Sequence, residues 1–273
     1  MLSEQAITRE NLNGYLKELA KDFRKLNGSK MPAEVILIGG AAVLANYGFR
    51  EMTYDIDAII LASSAMKEAI NSVGDRHGLP NGWFNADFKH TGSYSDRLYE
   101  VSVYYKTFSN ILTVRTVAAE YLIAMKLMSG RQYKNDLSDI AGILLEHERR
   151  GEPISRERIE TALTKLYGEA KVLPETSEEL LNTAFERGDY EKLYRESRES
   201  ERLSKEVLLK FEQDYPDALK SENIDSIIKR AKSKQAAAPQ KPSILAELED
   251  SIAQSNNETR SSHKRKTKNE QEV

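Results

Sequence analysis

The sequence contains no cysteine, and its apolar runs are all far shorter than the span of a bilayer. The lack of cysteine excludes a disulfide scaffold, a cysteine-ligated zinc or iron–sulfur site and thiol catalysis, and it fits a reducing compartment. A transmembrane helix needs about 20 consecutive apolar residues. The first residues, MLSEQ, have neither the basic nor the apolar region of a signal peptide. We therefore expect a cytoplasmic protein with no membrane partner.

Large apolar residues are scarce in the last part of the chain, where basic residues are in excess. Residues 229–273 hold ten of the 40 Lys and Arg and six of the 43 Asp and Glu. Their net charge is therefore +4, although the whole chain has −3, which leaves −7 for residues 1–228. Only five of these 45 residues are large and apolar, too few to offset the entropy of ordering them. The composition predicts a flexible, disordered basic tail.

The hydrophobic pattern of the remaining residues changes once along the chain. Short apolar segments that predict strands alternate with Gly-rich turns as far as residue 116, and spacings of three and four that predict helices follow from residue 117. Four strands are predicted, at 34–38, 54–61, 98–105 and 111–115. The fold class is α/β (α+β), and the predicted parts are an N-terminal helix (1–29), a small mixed-sheet head (30–116), an all-helical domain (117–228) and the tail (229–273).

Two carboxylates, Asp55 and Asp57, occur two residues apart on the second predicted strand, so their side chains lie on one face. Neighbouring carboxylates repel each other unless a cation compensates them. Mg²⁺ prefers carboxylate and phosphate oxygens and usually takes one or two protein ligands. Two such ions can activate an attacking oxygen and stabilise a leaving pyrophosphate. The alternative interpretation is a solvated strand end.

The pair Gly39-Gly40 stands between the first predicted strand and a short helix. Glycine lets the backbone approach a ligand closely, and the start of a helix offers free amides to a phosphate. An ordinary tight turn is the alternative. The Walker motif and the Gly-x-Gly-x-x-Gly dinucleotide motif are both missing, which argues against a P-loop NTPase and a dinucleotide site.

These residues resemble the nucleotidyltransferase superfamily, whose signature is an apolar residue with Gly-Gly, a spacer and then Asp-x-Asp on a second strand. A later segment, AEYLIAMKLMSGR followed by DLSDI, resembles the Lys-Leu-x-x-x-Arg…Asp-x-x-Asp block of the AbiEii-type toxin nucleotidyltransferases. It is closer still to a bacterial nucleotidyltransferase-like family of unassigned function. That family also has a Leu-Pro-x-Gly-Trp-x-Asn segment, which residues 79–85 match. The resemblance covers about residues 30–165 and implies a nucleotidyltransferase-fold head.

The resemblance also implies roles for single residues. Gly39 and Gly40 would hold the triphosphate of an NTP, and Asp55 and Asp57 would bind Mg²⁺. Lys126 would contact the nucleotide phosphates. Asp136 or Asp139 would complete the site or orient Lys126 and Arg131. Arg50 and Thr53 would either assist phosphate binding or hold their loop in place.

Two of these assignments have structural alternatives. Asp136 and Asp139 also stand where acids favour the first turn of a helix. Many active members of the superfamily carry a third carboxylate on a neighbouring strand, and here the candidate metal ligand is Glu100, unless it is a solvated face residue. The absence of a clear third acid leaves catalytic competence open.

The implied function is Mg²⁺-dependent transfer of a nucleotide from an NTP to a hydroxyl group. The acceptor would be RNA, such as the 3′ end of a tRNA, or a protein side chain, and the enzyme would be a toxin that acts beside a cognate antitoxin. The alternative is a catalytically inactive nucleotidyltransferase-fold module that binds a nucleotide or a partner. The acidic body and the missing third acid favour this alternative.

Overall fold

The computed structural model describes residues 6–28, 31–169, 171–220 and 222–237. Two short 3₁₀ turns, Asp87–His90 and Asp96–Leu98, precede the sixth strand. The strands and helices of the described residues are, in chain order, β1 (Ile7–Thr8), α1 (Arg9–Asn27), β2 (Ala33–Leu37), α2 (Gly39–Asn46), β3 (Met52–Thr53), β4 (Ile56–Leu61), α3 (Ala65–His77), β5 (Phe84–Asn85), β6 (Ser102–Phe108), β7 (Leu112–Val117), α4 (Ala119–Ser129), α5 (Asp136–Arg149), α6 (Arg156–Tyr167), α7 (Glu175–Arg187), α8 (Tyr190–Asp214) and α9 (Ile224–Ala237).

A mixed five-stranded sheet forms the centre of the first half, in the order β5-β4-β2-β7-β6. The central strand β2 is parallel to β7 and antiparallel to β4. Its residues Val35, Ile36 and Leu37 are completely buried, as expected of a strand that is covered on both faces. The predicted small mixed sheet with flanking helices, followed by a helical region, is confirmed. A separate two-stranded sheet pairs β1 with β3.

The antiparallel pairing of β2 and β4 determines where the site lies. Leu37 pairs with Ala58, and the Ile38 amide donates to the Asp57 carbonyl at 3.0 Å. The end of β2 is therefore beside the start of β4. Because α2 begins at Gly39, directly after β2, its N-terminus is held next to the first residues of β4.

The helices after the sheet pack on the head through aromatic side chains. The Phe49 ring lies against Gly142 of α5, where an added Cβ would come within 2.6 Å of it. The same ring stacks on Tyr47 and meets Tyr194 of α8 edge-on, with centroids 5.6 Å apart in both pairs. The chain divides into compact units after Asp214. The predicted boundary at 116/117 stays a prediction.

Two predicted segments have different boundaries in the structure. Leu98 belongs to a 3₁₀ turn, and β6 begins only at Ser102, so the predicted strand 98–105 starts too early. The predicted tail begins inside α9, whose apolar residues Ile224, Ile227, Ile228 and Ala231 have helical spacing. Residues 229–237 are thus helical, whereas residues 238–273 lie outside the described residues. None of the described helices combines the length and the apolar character that crossing a membrane requires.

Candidate functional site

The two carboxylates that the sequence analysis singled out lie at the start of β4. Asp55 directly precedes the strand and is exposed, whereas Asp57 is its second residue and is half-buried. The short strand β5 runs parallel to β4 and pairs Asp57 with Asn85. A hydrogen bond from Asn85 reaches Asp57, and Asp87 follows Asn85 in a 3₁₀ turn. Asp55, Asp57 and Asp87, with the amide of Asn85, therefore lie together beside the start of β4, and we call them the acidic group.

The pKa of the Asp57 carboxyl is raised above its ordinary value. Burial is the main cause, and the negative charges of Asp55 and Asp87 add to it. The positive charge of Arg131 and the hydrogen bond from Asn85 act in the opposite direction but do not compensate. The ionised Asp57 is thus poorly neutralised by the protein itself, and this environment favours a bound cation.

The acidic group fits Mg²⁺ as a site with two protein ligands. Within the described part of the chain, no group of three or more His, Asp or Glu side chains is arranged to hold a metal ion. Asp55 and Asp57 would therefore supply two carboxylates, and the other oxygens would come from water and substrate phosphates. Mg²⁺ sites of this composition are common at phosphate-transferring centres.

At the start of α2, Gly39 lies beside Asp57, and Gly40 packs closely against Arg50 and Thr53. A Cβ added to Gly39, which has φ 55°, would be 3.4 Å from Oδ2 of Asp57. A Cβ added to Gly40 would be 2.8 Å from both Nη2 of Arg50 and Oγ1 of Thr53. No side chain of the described residues caps this helix. Its first amides are free for a phosphate beside the carboxylates.

Five of the predicted residues form a network of ion pairs in which Lys126, Asp136 and Asp139 are buried and Arg131 is exposed. Lys126 of α4 is 5% exposed, and its Nζ lies 3.1 Å from Asp136 and 2.7 Å from Asp139. Arg131 binds Asp136 through Nε at 2.8 Å, and Arg50 binds Asp139 at 2.5 Å. Burial disfavours the charge of Asp136, yet Lys126 and Arg131 hold its pKa far below the usual range. Asp136 and Asp139 therefore position the three cations.

This network adjoins the acidic group at two points. Arg131 is close enough to act on the charge of Asp57, and Arg50 packs against Gly40 beside the buried Thr53. The structure thus brings together the predicted residues Gly39, Gly40, Arg50, Thr53, Asp55, Asp57, Lys126, Arg131, Asp136 and Asp139.

Glu100 is not brought to this group. It is exposed in a turn before β6, where its amide donates to the Arg97 carbonyl. Strands β2 and β7 separate β6 from β4, so the two strands are three spacings, or about 14 Å, apart. Alternation along 98–105 suggested a strand position for Glu100, but this part of the segment forms turns.

Sequence reasoning missed three polar residues here. Asn85 is the last residue of the Leu-Pro-x-Gly-Trp-x-Asn segment, which offered a signal, and Asp87 is two residues later. Glu201 of α8 is 3% exposed and accepts hydrogen bonds from the Leu137 and Ser138 amides at 2.8 and 3.1 Å, at the start of α5. Burial, with a contribution from Asp139, raises the pKa of Glu201 to about 7. Nothing local distinguished this residue from the other acids of α8.

A comparison with protein families agrees with this arrangement of residues. The model of a family described as "Nucleotidyltransferase of unknown function (DUF6036)" matches residues 14–193, about two thirds of the chain. No curated protein and no solved structure matches the chain. The matched residues include the sheet, both glycines, the acidic group and the network of ion pairs. The chain therefore belongs to this family of nucleotidyltransferases and is an enzyme of that type.

Proposed function

We propose that the protein transfers a nucleotidyl group from an NTP to an acceptor hydroxyl with Mg²⁺ at the acidic group. The observation that carries this proposal is the approach of Gly39 to Asp57, with 3.4 Å between the Cβ position and Oδ2. It puts a helix N-terminus that can bind phosphate directly beside two carboxylates that can bind a metal. Neither feature alone is specific, but nucleotidyl transfer needs both in one place.

In this proposal each residue has a definite task. The first amides of α2 bind phosphate oxygens, Asp55 and Asp57 hold Mg²⁺, and Arg131 adds positive charge beside Asp57. The bound ion would neutralise charge on the transferred group and the leaving pyrophosphate. The acceptor oxygen forms a bond to the α-phosphorus while the bond to the bridging oxygen of the β-phosphate breaks. Pyrophosphate leaves, and the hydroxyl proton is released to water.

The acceptor that we propose is a hydroxyl group of RNA, with the 3′ end of a tRNA as one form of it. A protein side chain is the other acceptor that the AbiEii-type resemblance implies, and an action beside a cognate antitoxin would follow from the same resemblance. The support for this part is the segment 119–140, whose Lys, Arg and Asp residues form the ion-pair network beside the acidic group.

The test uses NTPs labelled at either the α- or the γ-phosphate, together with Mg²⁺ and total RNA. Nucleotidyl transfer predicts that the α-label enters RNA, that the γ-label does not, and that EDTA stops the reaction. Asp57→Asn should reduce the rate at least about 100-fold, a typical effect of removing one electrostatic contact to a transition state. Unchanged transfer by Asp57→Asn would contradict the assignment of this site.

A second outcome of the same assay concerns the inactive module. The observation that favours it is the lack of a three-residue metal-ligand group in the described part of the chain. NTP binding that Asp57→Asn weakens, without incorporation into RNA or protein, would support that module and contradict transfer.

A further inference from the structure

A groove with a volume of about 490 Å³ runs along α8 and is bordered by basic side chains. Arg195, Arg198, Arg202 and Lys205 follow one another at spacings of three, four and three residues, so they form one stripe on the helix. The loop between α4 and α5 provides the opposite wall with Tyr133 and Asn135. This groove is therefore a basic channel with aromatic side chains in it.

Most of the positive charge in this groove is not neutralised. Within the described residues, the exposed Arg195, Arg198 and Lys205 take part in no ion pair. Arg198 instead lies over the ring of Tyr194, 5.8 Å from its centroid. Arg202 is paired with two glutamates of its own helix. Three cations without an ion pair along one stripe are suited to a ligand with several negative charges.

The acids in the groove wall are engaged elsewhere. Glu199 is paired with Arg202 at 2.7 Å. Glu201 is buried; its Oε1 accepts from the amides of Leu137 and Ser138, whereas its Oε2 has no hydrogen-bond partner. Within the described residues, neither acid forms an ion pair with Arg195, Arg198 or Lys205.

A second groove extends from this one towards the nucleotidyltransferase site. A smaller groove shares Asn135, Tyr194 and Arg198 with it and extends to Arg50 and Asp139. Arg50 is the same side chain that packs against Gly40 at the start of α2. A chain lying along α8 would therefore lead towards the proposed phosphate site.

The length of the stripe indicates whether the groove fits a single phosphate group or a nucleic-acid strand. Ten residues separate Arg195 from Lys205, which is about 15 Å along a helix. A nucleic-acid strand carries one phosphate per roughly 3.4 Å when stacked, so the stripe spans about four phosphates. The half-buried ring of Tyr133 offers a face on which a base can stack. We propose that this groove binds the acceptor as a single strand of RNA and leads its end to the nucleotidyltransferase site.

This proposal deepens the proposed function, but its test needs neither NTP nor turnover. A fluorescent ten-nucleotide RNA of mixed sequence is titrated with the full chain, and anisotropy gives the Kd at several salt concentrations. The test variant combines Arg195→Gln, Arg198→Gln and Lys205→Gln. The matched control combines Lys17→Gln, Lys21→Gln and Lys67→Gln, three exposed cations of α1 and α3 that form no ion pair in the described residues.

The groove variant should bind RNA at least about 10-fold more weakly at low salt. The magnitude of its slope of log K against log salt should fall by about 2, since each of the three lost phosphate contacts removes about 0.7. The control variant should bind within about 2-fold of the unmodified chain. Tyr133→Ala should weaken binding about 5-fold or more at unchanged salt slope, because stacking is lost without loss of charge. Circular dichroism and melting curves show whether each variant is folded.

Three results would overturn the proposal: equal weakening in the groove and control variants, no RNA binding by the unmodified chain, or competition by a glutamate-rich peptide as strong as that by unlabelled RNA. The last result would assign the groove to an acidic protein. Asp57→Asn should bind RNA normally. RNA binding that depends on the groove without nucleotide transfer would contradict only the proposed function. If the protein transfers nucleotides to RNA but the groove variant still binds RNA normally, only the proposal that the groove binds RNA would be contradicted.

Discussion

Asp57 illustrates, at the scale of one residue, a conflict between stability and function. Its raised pKa means that the ionised carboxylate is less favourable in the folded chain than in the unfolded one. The cost is present at all pH values above the raised pKa and disappears as the carboxyl is protonated. Asp57→Asn should therefore melt at an equal or higher temperature at pH 7 while losing transfer. A clear fall in melting temperature would contradict the account of its charge environment.

Glu100 provides the matched control for this prediction. Glu100→Gln removes the same charge by the same chemical change from an exposed turn on the far side of the sheet. Transfer and melting temperature should both remain those of the unmodified chain. Loss of transfer in this variant would restore Glu100 as a candidate metal ligand.

Gly40 is a residue whose missing side chain matters. Gly40→Ala would place a methyl group 2.8 Å from Arg50 and Thr53, and Arg50 is held by Asp139. Overpacking of this kind typically costs about 1–3 kcal/mol, and displacement of Arg50 should reduce transfer about 10-fold or more. Chemical denaturation and the labelled-NTP assay measure the two effects.

Gly14 of α1 is the control for Gly40. A Cβ there has no neighbour within 4 Å, so Gly14→Ala should stabilise the helix by about 0.5–1 kcal/mol without changing transfer. If Gly40→Ala behaved like Gly14→Ala, the close approach of α2 to Arg50 and Thr53 would not exist in solution.

Among the elements, α5 depends on an unusual cap. Glu201 of α8 accepts from the Leu137 and Ser138 amides, and its pKa is raised to about 7 by burial. The folded chain then retains a proton that the unfolded chain releases near pH 4.5, so stability falls as pH rises from about 4.5 to 7. The decrease from this carboxyl is up to about 3 kcal/mol. Denaturation at a series of pH values should show it.

Glu201→Gln removes the titration but keeps an oxygen that can accept from the two amides. Its stability should therefore lack most of the decrease between pH 4.5 and 7. Glu199→Gln is the control, because Glu199 is exposed and paired with Arg202, which lowers its pKa and places its titration below this window. An unchanged pH dependence in Glu201→Gln would contradict the raised pKa.

The sequence predicted those elements whose pattern is local. Runs of buried apolar residues indicated β2 and β4, and spacing of three and four indicated most helices. The start of β6 was wrong because Leu98 is buried in a turn, and burial alone does not distinguish a turn from a strand. The predicted end of the helical region at residue 228 falls inside α9, because the apolar residues of this helix lie mainly before residue 229 and its last turns are basic.

The site was predictable to the extent that it consists of short motifs. Gly39-Gly40 and Asp55-x-Asp57 are each contained in a few residues, and the pairing of β2 with β4 brings them together. Glu201 was not predictable, because its partner amides at 137 and 138 are more than 60 positions away. The pairing of Lys126 with Asp136 and Asp139 was one of the two expectations for these acids, but the burial of the lysine was not predicted.

On the scale of the whole molecule, the charge asymmetry has a different origin from the predicted one. Residues 238–273 contain six Lys and Arg and six Asp and Glu, so they are neutral overall. The excess of +4 after residue 228 belongs to residues 229–237, which are part of α9. The net charge of residues 238–273 therefore gives no reason to assign RNA binding to them, and we assign it to the stripe on α8.

This redistribution of charge leads to a prediction about truncation. The acidic group, the ion-pair network and the groove all lie before Asp214, and the family match ends at residue 193. A chain that ends at Ala237 should therefore retain transfer and bind the ten-nucleotide RNA within about 2-fold of the full chain. Its slope of log K against log salt should also be unchanged, because this slope reflects the number of phosphate contacts and no contact is lost. The groove variant in the truncated chain should lose affinity as it does in the full chain. A truncation that abolished salt-sensitive RNA binding would assign that binding to residues 238–273 and contradict the groove.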